Sequence, residues 1–128
     1  ESGFDQVTDI LLDGKRIRQI GKVDDVSGIE QVIDASGMIA APGLIDVHVH
    51  FRDPGFTYKE DLQTGSAAAA AGGFTRVVCM AQTKPVVDSV DIYKEIEDRG
   101  EQLPIKVWQA AAVSKGFEGK ERTDMGNY

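Results

Sequence analysis

Residues 39–52 read Ile-Ala-Ala-Pro-Gly-Leu-Ile-Asp-Val-His-Val-His-Phe-Arg, and from Asp46 onward polar and apolar residues alternate without a break. Side chains of a β-strand point to opposite faces in turn. The pattern therefore predicts a strand with Asp46, His48, His50 and Arg52 on one face and Val47, Val49 and Phe51 on the other. The approach, residues 39–45, is apolar apart from Pro42-Gly43, as in a strand buried on both sides of a parallel sheet. Two imidazoles two residues apart can reach one metal ion, and an arginine further along the same face can hold an anion beside it. A His-x-His pair can also be two solvated residues on an ordinary half-buried sheet. The apolar approach favours the metal, because buried histidines and a buried arginine need partners.

On either side of this stretch the rhythm differs. Before it, Ile10-Leu11-Leu12 and Ile17-Arg18-Gln19-Ile20 flank Asp13-Gly14, a dipeptide suited to a hairpin turn. Ser36-Gly37 stands in the same way between Val32-Ile33 and Met38-Ile39, so residues 1–41 read as a small β module. After Pro42-Gly43, strand and helix alternate. A strand at 44–50 leads to a helix over about 58–71, rich in alanine and closed by Gly72-Gly73. A strand at 76–81 leads to a helix over about 89–101, with Val90, Tyr93 and Ile96 apolar and Asp88 or Ser89 as N-cap. Pro104 opens a third strand, 105–113, in which Trp108 is expected to be buried as barrel core or in packing against a helix. Gly65, Gly72 and Gly73 have backbone and packing reasons to be glycine.

This order implies an α/β fold with a parallel sheet, either doubly wound or the start of a (β/α)₈ TIM barrel. The barrel is favoured: the polar constellation sits at the C-terminal end of its strand, and no glycine-rich phosphate loop follows the first strand. A barrel needs about 250 residues. The chain has 128, begins at Glu1-Ser2-Gly3 without a methionine, and reads as a fragment whose third strand is an open edge.

Composition narrows the function. A net charge of −7 argues against nucleic acid, which needs clustered basic residues. Lys115, Lys120 and Arg122 read as a solvated face. No apolar run is long enough for a membrane span and no signal pattern opens the chain. The single cysteine, Cys79, lies in an apolar run and is expected to be a buried, reduced thiol, which fits the cytoplasm.

The string APGLIDVHVHFRDPG, residues 41–55, resembles the metal-binding signature of the amidohydrolase superfamily, and its HVHFRDPG portion is similar to that of the dihydroorotases. GGFTRVVCM (72–80) and TKPVVDS (83–89) occupy the places of that family's second strand and following loop, so the resemblance covers nearly the whole chain. Hydantoinases and allantoinases share Asp-x-His-x-His but generally lack the arginine found here as Arg52. The resemblance implies a metal-centred TIM barrel of the metal-dependent hydrolase type. Residues 42–128 would form its first three βα units, and residues 1–41 the N-terminal portion of a composite β-sandwich. It implies reversible conversion of dihydroorotate and N-carbamoyl-L-aspartate in pyrimidine synthesis, with one or two Zn²⁺ ions and a homodimeric complete protein.

In that reading His48 and His50 are zinc ligands, with His50, Arg52 and Gln82 also facing substrate. Asp46 orients the site without ligating the metal. Arg52 offers two planar donors to the substrate carboxylate; a salt bridge to Asp53 or Glu60 is its bland alternative. Gln82 departs from the family's asparagine, keeping the amide but adding a methylene. The remaining ligands and the proton-shuttling aspartate are expected downstream, so no catalytic residue is assigned within this chain, and the isolated fragment is expected to be inactive. Two alternatives stand beside the dihydroorotase: a hydantoinase- or allantoinase-like cyclic amidohydrolase, and a non-catalytic scaffold homologue.

Overall fold

The computed structural model describes residues 5–128; residues 1–4, part of the expected β module, lie outside them. The chain is mixed α/β and divides into two compact units, one ending at Ile39 and the other starting at Ala40.

The first unit contains one antiparallel hairpin, β1 (Ile10–Asp13) and β2 (Arg16–Ile20). Gly14 takes the first turn position with φ +56°, a conformation that costs other residues a steric penalty. Asp9 fixes the strand exit: its backbone carbonyl accepts from Gly21 N and its carboxylate from Val23 N. The strands expected around Ser36-Gly37 do not form. Gly37 does turn, at φ +76°, but Val32, Ile33, Met38 and Ile39 are exposed coil. A strand exists only by pairing its backbone, and β1 and β2 pair only with each other among the described residues.

The second unit is a three-stranded parallel sheet of order β3-β4-β5, with β3 Leu44–Val49, β4 Phe74–Cys79 and β5 Lys106–Gln109. Helix α1 (Leu62–Ala71) joins β3 to β4, and α2 (Val90–Gly100) joins β4 to β5. Helix α1 starts four residues later than its propensity suggests. Asp61 is in extended conformation and its Oδ1 accepts from the Thr64 amide at 2.7 Å, which sets the N-terminus there. It ends at Gly72, with Gly73 at φ +82°. Helix α2 begins after Ser89, with Asp91 in its first turn and Arg99 in its last, the signs its dipole favours.

The core of this unit comprises Phe51, Leu62, Val77, Cys79, Ala81, Val87, Ile96, Ile105, Val107 and Ala112. Small residues let α1 approach closely: a Cβ on Gly65 would stand 2.6 Å from the Phe51 ring. Two expectations of burial fail. In β5 the alternation sends Val107 and Gln109 inward and Trp108 outward, where it is 41% exposed with the Arg76 guanidinium 5.7 Å from its ring centre. Leu44, Ile45 and Val47 of β3 are exposed rather than buried on both faces, because the two helices pack chiefly on β4 and β5. The third strand is also shorter than its apolar run, ending at Gln109.

Candidate metal and carboxylate site

The parallel register fixes what meets what beyond the strand ends. Asp46 pairs with Val77 and Val49 with Cys79, and the Met80 amide donates to the Val49 carbonyl at 2.9 Å. The segment 50–56 after β3 and the segment 80–85 after β4 therefore leave the sheet side by side. They touch through backbone: the Lys84 amide donates to the Pro54 carbonyl at 3.0 Å. Gly55, at φ +91°, lies so close to Lys84 that an added Cβ would fall 1.9 Å from its carbonyl oxygen. Only glycine permits that approach.

His48 lies within β3, and His50 follows the strand's last residue. Their ring centres are 5.2 Å apart, with planes inclined by 63°. His48 is exposed and His50 half-buried. Burial, then the positive Arg52, then His48 lower the His50 pKa below its ordinary value, favouring the neutral imidazole that ligates metals. Its Nδ1 is buried with no hydrogen-bond partner. Asp46 accepts from the His48 amide through Oδ1 at 2.9 Å, bracing the strand backbone beneath the rings.

Arg52 reaches this place by a different route from the expected one. The strand stops at Val49, so the alternating face does not extend to residue 52; Arg52 instead has φ +63°, in the left-handed region. Its Nη1 donates to the Gln82 carbonyl at 3.3 Å. The structure thus brings Arg52 and Gln82 together across 30 residues of sequence, and Gln82 itself is exposed. The proposed bland partners of Arg52 are engaged elsewhere. Asp53 pairs with Arg99, and Glu60 accepts from Thr64 Oγ1 and the Asp61 amide. Beside Gln82, a depression of about 240 Å³ is lined by Met80, Ala111, Ser114 and Phe117 among others.

The donor set fits part of a zinc shell. Two imidazoles, one with an orphaned buried nitrogen, could supply two of the four ligands such an ion takes. Among the described residues no group of three or more His, Cys, Asp or Glu side chains converges to complete it. Cys79 takes no part: it is buried, and burial pushes its thiol pKa up to about 12.

The Asp53–Arg99 pair escapes a reading of the sequence. The partners are 46 residues apart, and nothing in the local pattern of either announces the other.

A family model described as dihydro-orotase-like matches residues 37–128, most of the chain and all of the second unit's strands and helices. The chain belongs to the dihydro-orotase-like family. Curated relatives agree along its length. A protein named dihydroorotase from Clostridioides difficile (strain 630) is 53% identical over 125 residues, 98% of this chain and 30% of that protein. Another from Streptococcus pyogenes serotype M3 is 50% identical, and one from Streptococcus thermophilus is 47% identical, each over 98% of this chain and 29% of the relative. The chain thus spans about 30% of the length of these dihydroorotases. The dihydro-orotase-like match includes His48, His50, Arg52 and Gln82.

Proposed function

We propose that this chain supplies the first metal ligands and the carboxylate grip of a zinc-dependent dihydroorotase, which interconverts dihydroorotate and N-carbamoyl-L-aspartate in pyrimidine synthesis. The observation that carries the reading is the His48–His50 pair with the charge of Arg52 acting on His50, in a dihydro-orotase-like chain where Asp53 and Glu60, the carboxylates near Arg52 in sequence, are engaged with other partners.

His48 and His50 would hold zinc through neutral ring nitrogens, and the lowered pKa of His50 keeps its ring ready for that role. Bound zinc would polarise the amide carbonyl and supply a water with a pKa of about 7. Arg52 orients the substrate by its carboxylate, using guanidinium donors beyond the one engaged with Gln82. It thereby selects dihydroorotate over uncharged cyclic amides. The Arg52 contact uses the backbone of residue 82, so it survives the exchange of asparagine for glutamine, while the Gln82 amide remains exposed to a ligand. Asp46 holds the His48 backbone rather than the metal.

In this reading residues 42–128 form the opening three βα units of a TIM barrel and residues 1–41 a share of a composite β-sandwich. The remaining ligands and a proton-shuttling aspartate come from elsewhere in the complete protein, a cytoplasmic homodimer, and the 128 residues alone are inactive. No helix among the described residues is long and apolar enough to cross a membrane.

The test is a dihydroorotate ring-opening assay on the complete protein, with zinc and after chelation. Turnover that chelation abolishes and zinc restores is expected. A folded, zinc-binding protein without turnover would redirect the reading to hydantoin-type substrates, and absence of zinc binding would favour a scaffold.

A further inference from the structure

Arg52 is held between two anchored neighbours. On one side Phe51 is buried, its ring pressed against Gly65 of α1. On the other, Asp53 has a side chain only 3% exposed, and it carries three bonds. Arg99 Nη1 donates to Oδ1 at 2.9 Å, Arg99 Nη2 to Oδ2 at 2.5 Å, and the Leu62 amide at the start of α1 to Oδ2 at 3.3 Å. One carboxylate therefore ties the Arg52 segment to the first turn of α1 and the last turn of α2. The segment closes on itself through the Phe56 amide, which donates to the Arg52 carbonyl at 2.9 Å.

These anchors explain a costly feature. A non-glycine residue in the left-handed region is held there only when its surroundings impose it. We propose that Asp53, clamped by Arg99, is a positioning residue that holds Arg52 in its left-handed conformation and so aims the guanidinium at the substrate carboxylate. The inference rests on the reading of Arg52 as the carboxylate grip. A buried carboxylate stripped of its cation is strongly disfavoured, so loss of Arg99 would drive Asp53 toward water and loosen the segment it holds. The site would then lose its aim on the carboxylate, while His48 on β3 and His50 just past its end keep theirs, because the Asp46 bond to the His48 amide, the β3–β4 pairing and the Met80 bond to the Val49 carbonyl do not involve Asp53.

The test uses the complete protein with Arg99→Gln, Arg99→Lys and Asp53→Asn. In Arg99→Gln and Asp53→Asn, KM for dihydroorotate should rise about 10-fold or more while kcat changes less than about threefold, since the lost interaction is one of substrate binding. Arg99→Lys, which keeps the charge but not the paired donors, should fall between them and the wild type. Zinc content per chain should stay unchanged. Hydrogen exchange at Phe56 should quicken about 10-fold or more in the variants while that of β4 does not, the signature of local opening. If Asp53→Asn fails to fold, the two Arg99 variants decide. Folded Arg99→Gln protein with wild-type KM and wild-type Phe56 exchange would overturn the proposal, as would a lower melting temperature with no change in KM. A wild-type protein without dihydroorotate turnover would instead remove the functional reading itself, and the positioning role with it.

Discussion

The two units of the chain start from similar material and end differently. Both contain apolar residues in strand-like runs, yet in the hairpin unit Leu12, Ile17, Val32 and Ile33 are exposed, whereas in the second unit Val77 and Val107 are buried, as is Ile96 of α2. The difference is partnership. Within its own unit the hairpin has no helix or second sheet among the described residues to cover it, while two crossover helices bury part of the parallel sheet and leave Leu44, Ile45 and Val47 exposed. A functional site needs side chains held in place, and it is in the second unit that His48, His50 and Arg52 are found.

The largest effect that would sharpen this contrast is truncation of the core. Ile96 is 2% exposed, and Ile96→Ala should cost about 2–5 kcal/mol in denaturant unfolding of this chain. A cost near zero would mean that the second unit has no fixed core. Next is overpacking at the close approach of α1. Gly65→Ala sets a methyl against the Phe51 ring and should cost about 1–3 kcal/mol, read in the same unfolding curve.

Two smaller effects are read from pH. The Cys79 thiol is pushed up to about 12 by burial, so the fold favours its neutral form. That contribution is complete below the unfolded thiol's pKa of about 8.5 and is lost as pH rises from there toward 12. Cys79→Ala should flatten this alkaline loss, and a thiol reagent at neutral pH should label Cys79 only as the unit unfolds. Asp61 behaves oppositely. Its bonds from Thr64 lower its pKa, so its capping contribution is present above the unfolded carboxylate pKa of about 3.9 and fades as pH falls through the lowered folded value. Asp61→Asn should remove that acid dependence, seen as a flatter melting temperature below pH 4. The smallest change belongs to the hairpin: Ile17→Ala, at a residue 62% exposed, should alter stability by less than about 0.5 kcal/mol. A large loss there would show that the hairpin has a core of its own.

The sequence made the order of strands and helices legible, because β-branched runs, an alanine-rich stretch and paired glycines mark them locally. It overextended the central alternation. Phe51 continues the period-two pattern, but it is buried under α1 while Arg52 turns left-handed, so a sequence period outlived the strand that first produced it. Val32-Ile33 and Met38-Ile39 had strand composition without a partner, and pairing is not a local property. The meeting of Arg52 with Gln82 follows from parallel register, and that of Asp53 with Arg99 from the packing of loop and helix. Neither distance is written in either segment alone. The closeness of the two histidines was legible, since residues two apart at the end of one strand carry their own geometry.

The most direct measurement is the kcat/KM for dihydroorotate of the complete protein carrying Arg52→Gln, with zinc content measured on the same sample. Loss of a charge-assisted grip on the carboxylate predicts a fall of about 10- to 100-fold with zinc retained. An Arg52→Gln protein that binds zinc and turns over dihydroorotate as the wild type does would contradict the assignment of this arginine, and with it the account of the site.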